Sequence, residues 1–368
     1  MSQDALDDTV IVPGPSKERL NQRQLLDYQE IRREFIEWLL HLGKNPDRAV
    51  GYSESTVRQT AYRTDQFFRA VWDERGYTTD VTSEDADAYI RDLTYSDASE
   101  SHKSNTQKSL LRLFRWRVHT RGGSEWEPPY AFSSGDATRP RDYFTRSERR
   151  QLREAALEYG SIPGYNDLTP EQRDRWKGYL AQRFGKPKSD VRPADWERAN
   201  GWQTPTLVWV SLDCGLRPIE VERAVTSWVD IDNGVLRIPK EQSSKNVDNW
   251  IVSLQSRTVR ALDRWLTERR AYDRYTGTDA LWLTRHGNPY RSQSLRHVLH
   301  RLCDLADIST KGRSLSWYSI RASTATYMTH EEDLAAAQAQ LRHKSPTTTM
   351  RYDQAPIESR RDALDRMG

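Results

Sequence analysis

A mainly α-helical chain with one small β-sheet, divided into two domains, is the fold class this sequence predicts. Three observations carry it. Apolar residues recur at helical spacing along most of the 368 residues. Only Val235-Leu-Arg-Ile238 and Trp250-Ile-Val-Ser-Leu254 read as strands of a small hairpin or sheet. A stretch without periodicity, holding Gly122-Gly123, Pro128-Pro129 and Pro140, parts an N-terminal group of helices from the rest.

The elements follow in order. Residues 1–23 are expected to be a flexible tail, with Pro13-Gly-Pro15 among many polar groups. Residues 24–122 form a helical domain. Its first helix carries Leu25, Tyr28, Ile31, Phe35, Leu39 and Leu42 on one face and ends at Gly43 and Pro46. Ser53 or Ser55 caps a second helix with Val57, Phe67, Phe68, Val71 and Trp72, closed by Gly76. Thr82-Ser-Glu-Asp85 resembles a capping box and opens a short third helix. The fourth, from about Ser101 to Thr120, turns Leu110, Leu113, Phe114 and Val118 to a core.

Residues 123–142 read as the linker, and residues 143–352 as the second domain, opened by the cap signal Thr145-Arg-Ser-Glu148. The polar stretch at about 160–200 is taken as an insertion between helices. Thr204 to Cys214 is an apolar helix capped by Gly215, and Pro218 starts the next at a favourable first position. After the strands come helices near Thr258–Tyr275, Ser292–Asp304, Tyr318–Thr329 and Leu334–Leu341. Residues 353–368 form a polar C-terminal tail.

Composition narrows the function. No apolar run approaches the ~20 residues of a membrane helix. The N-terminus lacks a signal-peptide core, and Cys214 and Cys303 make neither a disulfide framework nor a zinc site. A cytoplasmic location is expected. The net charge of +3 says little, but its distribution says more. Four windows contain no acid: Ser101–Ser124, Ala280–Cys303, Ile308–His330 and Leu341–Tyr352. They carry Lys103, Lys108, Arg112, Arg115, Arg296, Lys344 and Arg351, all candidate contacts to a polyanion. Arginine outnumbers lysine 45 to 11, which suits phosphate recognition by a planar fork.

The last window concentrates the chemistry. His343 stands nine residues before Tyr352, with Lys344, Arg351 and four hydroxyls between them. A phenol with its usual pKa of about 10 is a poor nucleophile, and cations around it stabilise the phenolate. Upstream, Gly215-Leu-Arg217-Pro-Ile-Glu220 puts an arginine after a helix end with a glutamate three residues on, sharing a face with it. Arg321 lies one turn after Tyr318. Lys240 and Lys245 lie between the strands, where an amine can reach a ligand. His297, His300 and Cys303 share a helix, but a packed or DNA-facing helix accounts for them better than a metal site.

Taken together, these motifs resemble the tyrosine recombinase family, the phage-integrase and Xer-like proteins of bacteria and archaea. The resemblance rests on Cys214-Gly-Leu-Arg-Pro-Ile-Glu220, Ser244-Lys-Asn246 before Trp250–Leu254, Tyr318-Ser-Ile-Arg321, and Leu341-Arg-His343 with Thr348-Thr-Met-Arg-Tyr352. They stand in the family's order and at its spacing from histidine to tyrosine. The chain departs from the family twice. Tyr318 stands where histidine or lysine is usual, and Arg342 replaces the glycine of Leu-Gly-His.

The resemblance implies an N-terminal four-helix (SAM-like) core-DNA-binding domain and a catalytic domain that close on DNA as a C-shaped clamp. Tyr352 would be the nucleophile, with Arg217, Arg321 and His343 on the scissile phosphate and Tyr318 beside them. Lys245 would be the general acid, with Lys240 as second choice, and Glu220 a supporting residue. The implied activity is site-specific recombination or integration through a covalent 3′-phosphotyrosine, without metal, ATP or other cofactor. A DNA-binding protein of the same fold with impaired catalysis, or a relaxing topoisomerase, would leave similar motifs. Implied partners are double-stranded DNA at the nucleoid, further copies of the chain as a dimer or tetramer, and accessory DNA-bending or directionality proteins. The C-terminal tail would dock on a neighbouring subunit or fray.

Overall fold

The computed structural model describes residues 9–122, 124–132, 142–243, 248–353 and 355–368. The chain forms two compact units, residues 1–139 and 140–368. The described residues are mainly helical, with one three-stranded sheet.

The first unit holds α1 (Gly14–Lys17), α2 (Gln22–His41), α3 (Glu54–Arg75), α4 (Ser83–Tyr95) and α5 (Glu100–Arg121). Local chemistry sets the helix starts. Asn21 and Thr82 make reciprocal capping boxes, and Ser53 and Ser99 occupy N-cap positions. Tyr28, Phe35, Ile36, Leu39, Val57, Phe67, Ile90, Leu110 and Leu113 are buried at the centre. The expected flexible tail is packed from Thr9 onward. Val12 is buried, and buried Ser16 donates to Asp65 at 2.7 Å. Arg32, 2% exposed, explains the order: its guanidinium donates to the Ile11 carbonyl and, at 2.8 Å, to that of Ala61.

The second unit opens with α6 (Arg146–Tyr159) behind a Thr145–Glu148 capping box. The stretch at 160–200 contains α7 (Pro170–Phe184) and α8 (Pro193–Glu197). It is more than a polar insertion, because Trp176, Leu180, Val191 and Trp196 are buried in the domain core.

Helix α9 (Gln203–Cys214) runs through that core, with every residue but Thr204 buried. A helix apolar on all sides belongs at the centre of a domain. Short α10 (Pro218–Arg223) follows, then β1 (Val229–Asp230), β2 (Val235–Ile238) and β3 (Trp250–Ser253). The order is β1-β2-β3, antiparallel, with Leu236 opposite Val252. Strand β1 is too short to read from its sequence.

Helices α11 (Ser256–Arg269), α12 (Ser292–Leu305) and α13 (Trp317–Glu331) close the core. Helices α14 (Leu334–Leu341), α15 (Pro346–Met350) and α16 (Ile357–Met367) complete the unit. Residues 357–367 are thus helical, tied at the N-terminal end of α16 where Tyr327 and the Arg146 amide donate to Glu358 at 2.7 and 3.0 Å. No helix among the described residues is long and apolar enough to cross a membrane.

Candidate active site

Four local structures converge at one end of α9 and α13. The first is the turn after α9. Gly215 adopts φ +56, a conformation glycine takes freely, and so caps the helix and redirects the chain. Arg217 follows as N-cap of α10, with Pro218 at the first position. Its amide donates to Glu220 Oε2 at 2.8 Å and its guanidinium to Oε1 at 2.9 Å. The Arg217 side chain keeps 16% exposure, while Glu220 is buried.

Helix α13 supplies Arg321, 2% exposed. It does not lie on a solvated face. Its Nη1 donates to the Gly215 carbonyl at 2.6 Å and its Nη2 to the Leu341 carbonyl. Burial, followed by repulsion from Arg217 and Arg342, pushes Arg321 down to about 9, opposed by Glu220 and Tyr352. It stays charged at neutral pH. Tyr318, one turn earlier at the start of α13, is 39% exposed.

The third structure is the end of α14. Arg342 caps this helix at φ +59, where a side chain costs about 1–2 kcal/mol relative to glycine. That backbone accounts for the glycine usual in the motif. Arg342 is 4% exposed and turns inward, away from any DNA surface. It donates to Glu220 Oε2 at 2.8 Å and to the Cys214 carbonyl at 2.9 Å. Burial raises the Glu220 pKa, but Arg342 and then Arg217 outweigh it and hold the carboxyl down at about 2. Sequence reasoning missed this pairing; the signal was a cation standing where glycine is usual.

His343 follows, buried, with Nδ1 2.9 Å from Thr349 Oγ1. Thr349 lies in α15, a short helix the sequence reading did not place. That helix brings Tyr352 back onto His343, with ring centroids 6.1 Å apart and planes at 13°. Half-buried Tyr352 also packs on the cluster of Ala325, Ala337 and Leu341. Lys344 and Arg351, flanking the pair, are exposed.

Gln340 ties the hairpin to this centre, which the sequence reading did not foresee. Its amide donates to the carbonyls of Ser253 and Asp213 at 2.8 and 3.0 Å, and Ser253 N donates back to it at 3.1 Å. The root of the β2–β3 turn is held by Arg223 donating to the Ser243 carbonyl at 3.1 Å. Lys245, with Ser244 and Asn246 of its motif, lies outside the described residues. Lys240 is exposed at the start of the turn.

The candidate DNA contacts differ among themselves. Lys108, Arg115 and Arg296 are exposed. Arg112 is only half-buried, donates to Thr60 at 3.0 Å and lies over the Tyr52 ring. Lys103 is a correction: it is 8% exposed, because its amine turns back to the Thr94 carbonyl at 3.3 Å and to Glu100. Among the described residues no group of His, Cys, Asp or Glu could hold a metal ion, including His297, His300 and Cys303.

Comparison with known proteins finds similarity to one family. The phage integrase family matches residues 196–357, the span from α8 to the start of α16. The tyrosine recombinase XerC of Bifidobacterium longum (strain DJO10A) is 27% identical over 207 residues, covering 54% of this chain and 56% of that protein. The match thus spans little more than half the length of that curated relative. Among solved structures, XerH site-specific recombinase bound to palindromic difH substrate in a post-cleavage complex is similar at a TM-score of 0.56 and 14% identity. That likeness covers 98% of this chain and 92% of XerH. A λ integrase dimer bound to a COC′ core site gives a TM-score of 0.51 at 14% identity, over 87% of this chain and 95% of that one. At such identities the likeness is one of fold.

Proposed function

We propose that this chain, a member of the tyrosine recombinase family whose phage integrase domain occupies residues 196–357, is a site-specific DNA strand transferase that cuts and rejoins duplex DNA. The observation that carries the reading is the convergence of Arg217, Arg321, His343 and Tyr352 from four separate local structures. Phosphodiester attack builds negative charge on the non-bridging oxygens. Two guanidiniums held in place by Glu220 and by the Gly215 carbonyl, with an imidazole, stabilise that charge without reorganising.

In this reading Tyr352 gives up its phenol proton to solvent, its Oη attacks phosphorus as the phenolate, and the bond to the 5′-oxygen breaks. The products are a 3′-phosphotyrosine and a 5′-hydroxyl, the proton for the leaving oxygen coming from Lys245. Tyr318 donates a hydrogen bond to the phosphate. The phosphotyrosyl ester conserves the broken bond, so a 5′-hydroxyl from another strand reverses the step without ATP. The guanidiniums supply the charge stabilisation that a metal gives elsewhere. Exposed Lys108, Arg115, Arg296, Lys344 and Arg351 hold the duplex through phosphates, and strand exchange between two sites calls for more than one copy of the chain.

The test is a cleavage assay on nicked suicide substrates with random-sequence or genomic DNA, followed by sequencing of DNA linked to the protein. Wild type is expected to form a covalent adduct at defined sites and Tyr352→Phe to bind DNA without one. An adduct on that variant sinks the assignment of the nucleophile. Adducts at random sites, with supercoil relaxation and no recombinants, point to a topoisomerase; no adduct from wild type points to a DNA-binding protein.

A further inference from the structure

We infer that Arg342 is a positioning residue of this site, which shares the Glu220 carboxylate with Arg217 and thereby keeps the charge of Arg217 available to the phosphate. The inference rests on the reading above, in which Arg217 holds the scissile phosphate.

The geometry begins with the one carboxylate in the cluster. Glu220 is 1% exposed, and its Oε1 accepts from the Arg217 guanidinium at 2.9 Å. Its Oε2 accepts from the Arg217 amide and from Arg342 Nη2, both at 2.8 Å. Without Arg342 the buried carboxylate faces Arg217 alone on this side, and the pair is close to neutral. With Arg342, two guanidiniums face one carboxylate and a positive charge is left over. Arg342 is itself too buried to meet DNA, so the surplus is felt through Arg217.

Arg342 also joins the pieces. Its Nη1 donates to the carbonyls of Cys214 and Gln340 at 2.9 and 2.8 Å. Its Nη2 lies 3.3 Å from the Gly215 carbonyl, which also accepts from Arg321 at 2.6 Å. The carbonyl end of α9 carries partial negative charge and lacks helical partners for its last oxygens. One buried guanidinium therefore pins the loop of His343 to the turn of Arg217. A glycine at the same backbone conformation would fit there and do neither.

The experiment compares covalent adduct formation, DNA affinity and thermal unfolding for wild type, Arg342→Gly, Glu220→Gln/Arg342→Gly and Arg217→Ala. Glycine suits φ +59, so the backbone at this position is retained. Arg342→Gly is expected to slow adduct formation on the order of 10²-fold with affinity nearly unchanged. The double variant removes the carboxylate that then neutralises Arg217 and is expected to recover about tenfold over Arg342→Gly. A merely structural role predicts a double variant no faster than the single one, and that result overturns the inference. So does a wild-type rate for Arg342→Gly. Should Arg342→Gly not fold, Arg342→Lys is compared with Arg342→Gln: a faster lysine variant supports the charge role and equal rates overturn it. Arg217→Ala separates the two readings. Full activity there sinks its phosphate role, whereas an inactive Arg217→Ala beside an unimpaired Arg342→Gly sinks only the inference.

Discussion

The carbonyl of Gly215 accepts a hydrogen bond from Nη1 of Arg321 at 2.6 Å, across 106 residues of sequence. This contact joins the turn that delivers Arg217 to the helix that delivers Arg321. The glycine is required twice over. Its φ is +56, and a Cβ there would lie 2.6 Å from Leu341 Cδ2 and 3.3 Å from Arg321 Cγ.

Gly215→Ala is therefore expected to destabilise the protein by about 1–3 kcal/mol, from left-handed strain plus the collision with Leu341. Adduct formation should fall further than the loss of stability explains, because the methyl group pushes on Arg321. Denaturant unfolding and adduct formation on the same preparation check this. A variant as stable and as active as wild type would remove the turn from the account.

Glu220 makes stability depend on acid. Its folded pKa, about 2, lies below the ordinary glutamate value near 4.5, so the unfolded state binds more protons between them. The stabilisation is present above about pH 4.5 and is lost as pH falls toward 2. It amounts to something on the order of 3 kcal/mol at 1.36 kcal/mol per unit. Other carboxylates titrate in the same range, so the readout is the difference between wild type and Glu220→Gln in thermal melts taken from pH 5.5 to pH 3. The variant should show the shallower decline. Parallel curves would mean that Glu220 is not ionised by its two arginines.

Much of the second unit was legible because the ends of its elements are set locally in sequence. Gly215 as C-cap, Pro218 as helix start and the α14 range are written in single residues whose backbone preferences are strong. What sequence reasoning missed was carried by tertiary pairing. Arg342 read only as a departure from the motif's glycine; it faces inward because Glu220, 122 residues away, is buried opposite it. Lys103 sits in an acid-free window yet folds back on Thr94, since a helix face cannot be assigned to solvent until its neighbours are placed. Aromatic residues spread through 160–200 have no clean period, yet Trp176 and Trp196 are core.

The choice between Lys245 and Lys240 can be decided by chemistry rather than position. If Lys245 is the general acid, Lys245→Ala should lower adduct formation by roughly 10²–10⁴-fold. A substrate with sulfur in place of the 5′-bridging oxygen should restore it, because a thiolate leaves without a proton. Lys240 is exposed at the root of the turn, its amide bound to Asn249 Oδ1 at 2.8 Å, and Lys240→Ala is expected to keep most activity on either substrate. Sulfur rescue of Lys240→Ala but not of Lys245→Ala would exchange the two roles.

Salt dependence separates the cations that meet phosphate from those that hold the first unit together. Each phosphate neutralised adds about 0.9 to the slope of log K against log salt on duplex DNA. Lys108 and Arg115 lie exposed on α5, so Lys108→Ala/Arg115→Ala should weaken binding and flatten the slope by about 2. Lys103 lies on the same helix, but its amine is engaged with the Thr94 carbonyl. Lys103→Ala should leave the slope unchanged and act on stability instead. Arg112, bonded to Thr60 and stacked on Tyr52, should behave as Lys103 does. Fluorescence anisotropy titrations at several salt concentrations give the slopes directly. A Lys103→Ala slope flatter than that of wild type by about 0.9 would show that the amine leaves Thr94 to reach the duplex.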